Sequence, residues 1–396
     1  MSPETPIIYF NRERMHRQKN YKTTLFTGVI GVAFFFMLVD PQSLCAADSL
    51  RFFNSLRAGA DLYYGIITPH HGSIAYLVNS PVKGFELDLF TDSYGHSAWD
   101  RKYRYPRYGM GYLHTTLGNS VIYGNGNALF LFLDIPFNRQ EHSVSAAYRM
   151  NIGLGHLSRQ FNPNSNPLDL AISSKWNIYL RFESNVKLRL TTRSELVLGL
   201  GFSHFSNGKL DTPNLGLNIA SVRAGYNYSL KQEIYQKKVS IPDPVLPHNN
   251  IILVYSGGAK TDDQITGKYY LVSTLVADFV HNTSLRYSFG GGCDFFYDQS
   301  LGPNKVAEEH GGTYSNADLF QMGIHAGFFA RYGRLNTVVN LGAYVLADYY
   351  KYSRVYSRIG IRYQLYRNIL FNLTLKAHYA IADYFEWGIA YRIPYK

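Results

Sequence analysis

Ser194–Asn207 reads SELVLGLGFSHFSN, and its parity decides how the chain folds. Leu196, Leu198, Leu200, Phe202, His204 and Ser206 share one face of an extended strand, while Glu195, Val197, Gly199, Gly201 and Ser203 share the other. The same period of two recurs from residue 50 onward. In SVSAAYRMNIGLG, Val144, Ala146, Tyr148, Met150, Ile152 and Leu154 oppose Ser145, Arg149, Asn151 and Gly153. In KWNIYLRFE, Trp176, Ile178, Leu180 and Phe182 oppose Asn177, Tyr179, Arg181 and Glu183. Near the end, FNLTLKAHYA sets Phe371, Leu373 and Leu375 against Asn372, Thr374 and Lys376.

A soluble sandwich alternates as well as a membrane barrel does, so further features must decide. Strands of about ten residues, polar opposite faces and aromatics at strand ends all fit an outer-membrane barrel. Composition agrees: 34 Tyr, 25 Phe and 34 Gly with 17% charged residues, at a mean hydropathy of −0.17, fit alternating strands rather than apolar helices. At the N-terminus, Arg12, Arg14, Arg17, Lys19 and Lys22 precede the apolar run LFTGVIGVAFFFMLV, and small residues follow in CAADSL. This predicts an export signal over residues 1–47 and a localisation in the outer membrane of a Gram-negative cell. Removing it would take Cys45 and leave Cys293 as the one thiol, so no internal disulfide forms. The formal charge of +11 points to anionic lipid head groups and not to nucleic acid.

The expected fold is an all-β, antiparallel barrel over 48–396, of about 14 strands if single. The alternative is an eight-stranded barrel over 48–235 followed by a second β unit over 249–396. The polar, Pro-containing KQEIYQKKVSIPDPVLPHNN joins the two sets. The single barrel is preferred, because a second closed barrel would need eight strands in the remaining length. Oligomeric state is unreadable, a homodimer included, since any contact surface would be as apolar as the lipid face.

On the lipid face, His204 and Ser206 continue the leucine row at its rim. The next strand, NIASVRAGYNYSL, places Asn218 on the same face, and a hairpin about Asp211 brings it opposite His204. A hydroxyl two residues from an imidazole is a nucleophile and general base for acyl transfer when a third group fixes the imidazole's tautomer. The rim sets that pair at the depth of a lipid's ester bonds. Elsewhere, His70 and His71 in TPHHGS have no third ligand at a recognisable spacing and read as loop residues. Arg149, Arg181, Arg223, Arg362 and Glu183 read as a lumen network. A small channel and a catalytically silent barrel are the competing functions.

HFSNGKLDTPNLGLN, residues 204–218, resembles the signature of the lipid A 3-O-deacylase family, whose members are outer-membrane barrels. GLGHLSRQFNPNSNPLDLAISSKWN and LKAHYAIADYFEWGIAYR resemble longer members labelled acyloxyacyl hydrolases. The resemblance implies hydrolysis, without a cofactor or metal, of an ester-linked acyl chain from the lipid A of lipopolysaccharide. It implies Ser206 as nucleophile, His204 as base, and Asn207 and Asn214 around the oxyanion. Where short members carry an acidic third residue, this chain has Asn218, or a different acid such as Asp211 serves.

Overall fold

The computed structural model describes residues 55–395 except 70, 94–96, 139–142, 231–242, 244, 247, 262–267, 351 and 380. The predicted signal segment lies outside the described residues. The chain forms two compact units, each a closed antiparallel barrel of eight strands. The first barrel holds β1 (Leu56–Ile67), β2 (Val82–Asp92), β3 (Arg107–Thr116), β4 (Asn125–Pro136), β5 (Val144–Leu157), β6 (Trp176–Arg189), β7 (Ser194–Ser206) and β8 (Leu217–Ser229). The second holds β9 (Asn249–Thr261), β10 (Tyr269–Asn282), β11 (Tyr287–Asp298), β12 (Phe320–Tyr332), β13 (Leu335–Leu346), β14 (Val355–Tyr366), β15 (Ile369–His378) and β16 (Ile381–Tyr395).

The all-β expectation holds, and of its two arrangements the eight-stranded barrel with a second β unit is the one formed. The preference for one barrel of about 14 strands is corrected to sixteen strands in two rings. Eight strands fit after Asn249 because alternate connections are minimal. Gly333 and Arg334 alone join β12 to β13, and Arg367 and Asn368 alone join β14 to β15. Gly333 and Arg367 take the left-handed conformation, with φ of 57° and 44°, which tight hairpin turns demand.

Parity orders each wall. Along β7, Leu198 and Leu200 are 65% and 68% exposed, whereas Val197 and Ser203 are 2% and 0%. The leucine row therefore faces outward, a wall suited to hydrocarbon, and strands of 10–15 residues are long enough to cross it. Among the described residues no helix is long and apolar enough to cross a membrane.

Inside the first barrel, charges pair across the lumen. Arg181 bonds Glu86 (3.1 Å) and Glu183, Arg223 bonds Glu183 (2.6 Å) and Asp61 (3.1 Å), and Arg149 bonds Asp88 (2.7 Å) and Glu86 (3.0 Å). Asp61, Glu86 and Asp88 bring carboxylate oxygens within 4.8 Å of one another, but these three guanidiniums hold them, so the cluster is an ion-pair network. Ile67, Leu117, Leu157, Ile172, Phe205, Leu217 and Ile219 close the lumen at one end. The second barrel is filled likewise: Arg358 meets Asp294 (2.9 Å) and Glu386 (2.5 Å), Arg362 meets Asp278 (2.5 Å), and Lys260 meets Asp298 and Asp383 (2.6 Å each).

Candidate active site

Strands β7 and β8 pair antiparallel with His204 directly opposite Asn218. That register follows from parity, because a slip of one residue would turn the leucine row into the lumen. The imidazole Nδ1 and the Asn218 Oδ1 lie 2.6 Å apart. An amide oxygen only accepts, so Nδ1 carries the hydrogen and Nε2 is left with its lone pair.

Ser206 ends β7 and is buried at 9% exposure. Its Oγ accepts a hydrogen bond from Asn214 Nδ2 at 2.9 Å. The loop that carries Asn214 folds back on the strand end: Asn207 donates its backbone N–H to Asn214 Oδ1 at 3.2 Å. Left-handed residues make this return, with φ of 61° at Gly208, 71° at Lys209 and 80° at Gly216. Gly216 is constrained twice, since a Cβ there would stand 2.6 Å from His204 Cε1. The Asp211 carboxylate accepts the N–H of Thr212 at 3.0 Å, as a turn residue does.

The structure thus brings together His204, Ser206, Asn218 and Asn214. The Asn207 side chain is engaged elsewhere, its Nδ2 donating to Ser173 Oγ at 3.0 Å and Ser174 Oγ at 3.1 Å. Both serines belong to the β5–β6 loop, and spacing alone gives no sign of this contact across more than thirty positions.

The motif His-x-Ser/Thr closes three alternate strands on the same outer rim: His114–Thr116, His156–Ser158 and His204–Ser206. In the first, His114 Nδ1 also meets a facing asparagine, Asn127, at 2.8 Å, but the Thr116 Oγ1 accepts the backbone N–H of Lys83 at 2.9 Å. In the second, His156 packs edge-on to Trp176 at 4.9 Å and Ser158 Oγ accepts the backbone N–H of Asn125 at 2.8 Å. The third differs in that a side-chain amide, Asn214, addresses its hydroxyl. A side-chain donor beside a hydroxyl is a feature an oxyanion could use, and the loop, not the dipeptide spacing, sets this rim apart from the other two.

Residues 83–227 match the family described as lipid A 3-O-deacylase (PagL), and residues 249–395 match the family described as acyloxyacyl hydrolase, C-terminal domain. No curated protein matches the sequence. Among solved structures, the outer membrane enzyme PagL is 15% identical over 43% of this chain and 99% of that one, at a TM-score of 0.29. Neisserial surface protein A is 13% identical over 44% and 97%, also at 0.29. The NanC porin is 6% identical over 85% and 100%, at 0.14.

Proposed function

We propose, from the match of residues 83–227 to the lipid A 3-O-deacylase family, that the chain is a serine esterase acting on lipid A. The observation that carries the mechanism is the pair of bonds flanking the rim: His204 Nδ1 to Asn218 Oδ1 at 2.6 Å and Asn214 Nδ2 to Ser206 Oγ at 2.9 Å.

With Nδ1–H donated to Asn218, Nε2 takes the Ser206 proton as Oγ attacks the ester carbonyl carbon. The carbonyl oxygen becomes the oxyanion, and the Asn214 amide donates to it. Collapse breaks the bond to the sugar oxygen, which leaves with the proton from Nε2. Water then attacks the acyl-serine, gives its proton to Nε2, and releases the fatty acid as Ser206 regains its own. The outward aspect of the site lets a lipid present its ester without leaving the membrane. We further propose that residues 1–47 are the export signal, that 48–235 bear the site, and that 249–396 form an additional barrel.

Mass spectrometry of lipid A from cells expressing the wild-type chain, Ser206→Ala and His204→Ala tests this. Loss of one acyl chain in the wild type alone is expected. Identical lipid A in all three, in a host whose lipid A carries the ester, would sink the proposal.

A further inference from the structure

The loop from Ser158 to Lys175 is fastened along its length. Leu157 N–H meets Lys175 O at 2.8 Å and Phe161 N–H meets Ile172 O at 2.7 Å. Asn166 Nδ2 donates to the carbonyls of Ile122 and Gln160, both at 3.0 Å. Its last third forms a strap, in which Asp169, Ala171, Ile172, Ser173 and Ser174 are all buried.

The strap grips the site loop at both ends. At one end, Leu170 O and Ala171 O accept the N–H groups of Leu215 (3.2 Å) and Gly216 (2.9 Å). At the other, the Ser173 and Ser174 hydroxyls accept the Asn207 side-chain amide. Gly216 backs the His204 imidazole, and Asn207 holds Asn214 beside Ser206.

Asp169 shapes the strap. Its Oδ1 accepts the N–H of Ile172 at 3.1 Å, closing the turn that aims the carbonyls of Leu170 and Ala171. Its Oδ2 is buried without a hydrogen-bond partner, in company with the apolar Ala171 and Ile172. A carboxyl in such a setting costs stability, so the turn it closes is held at a cost.

We propose that Asp169 is a positioning residue for hydrolysis: it sets the strap, and the strap sets Gly216 against His204 and Asn207–Asn214 against Ser206. The proposal rests on Ser206 and His204 being the hydrolytic pair. It concerns alignment and not substrate binding, because the strap residues Asp169 and Ala171–Ser174 are buried.

The test measures ester hydrolysis on mixed lipid A–detergent micelles by the full-length wild type, Ser206→Ala, Asp169→Ala, Asp169→Asn and the double variant Ser173→Ala/Ser174→Ala. Folding is checked by heat-modifiable gel mobility. Asp169→Ala and the double variant are expected to lower kcat about 10- to 100-fold, as misalignment of a catalytic group does, with KM within about twofold. Asp169→Asn, which keeps the accepting oxygen, should recover most of the loss. Should Asp169→Ala fail to fold, the double variant, whose Asp169 turn is intact, decides. A wild-type rate well above Ser206→Ala, with folded strap variants equal to wild type, overturns the inference alone. A fall in KM-limited binding with kcat unchanged also overturns it. A wild-type rate no higher than Ser206→Ala overturns the hydrolytic reading and this inference with it.

Discussion

Asn218 accepts from His204 Nδ1 at 2.6 Å, so it orients the imidazole but lends no charge to the imidazolium that forms when Nε2 takes a proton. In a serine protease triad the exchange of Asp for Asn costs about 10⁴ in kcat. Asn218→Asp puts a carboxylate in the same seat, directly opposite His204, and is expected to raise kcat by at least about tenfold, measured as fatty acid released per enzyme. An unchanged or lower rate would show that charge at this position is not limiting. Gly216→Ala is expected to work the other way. At φ of 80°, with its Cβ 2.6 Å from the imidazole, it should abolish most activity and cost about 1 kcal/mol of stability or more, read by denaturant titration of the folded band. At this scale the sequence is legible where geometry is local: strand parity and hairpin register place His204, Ser206 and Asn218 together. The contact of Asn214 with Ser206 is not, because it depends on the path of the seven residues between them, through left-handed Gly208 and Lys209.

Between strands, the β5–β6 strap carries a titration of its own. Burial pushes the Asp169 carboxyl up to about 7, against which the N–H groups of Ile172 and Ala171 act. Tyr123, on the loop between β3 and β4, feels the same carboxylate and is pushed up by burial first and by Asp169 second. An acid whose folded value lies above its unfolded value binds more protons when folded, so stability falls as pH rises across that interval. The contribution is complete below about pH 4, declines toward pH 7 and is gone above it. Asp169→Asn should flatten this part of the curve, which denaturant midpoints at pH 4.5, 6 and 8 would reveal. Equal pH slopes in both proteins would refute it. Nothing in NPLDLAISS marks the burial of Asp169, since a carboxylate's burial depends on what folds over it.

For the whole molecule, the period of two says which side chains face inward but not which strand closes the ring, and this is why sixteen strands could be read as one barrel of about 14. The lumen residues themselves were legible: Arg149, Arg181, Arg223, Arg362 and Glu183 all point inward and are buried. Their pairing argues against a channel, because an eight-stranded interior is only wide enough for side chains to fill. Planar-bilayer recordings of the intact protein are therefore expected to show no open-channel steps, and steady ohmic conductance would contradict the filled lumens. The same network makes a stability prediction. Glu183 accepts from both Arg181 and Arg223, so Glu183→Ala leaves two buried guanidiniums short of a counter-charge. Breaking one side of a buried pair costs about 3–5 kcal/mol, which should shift the denaturant midpoint of the first barrel strongly downward. Replacing Arg181 and Arg223 as well by apolar residues should lower it further, because Glu86 and Asp61 then lose guanidiniums that hold them. A triple variant more stable than Glu183→Ala would show that the two guanidiniums left short of a counter-charge, and not the carboxylates Glu86 and Asp61 that they hold, set the cost.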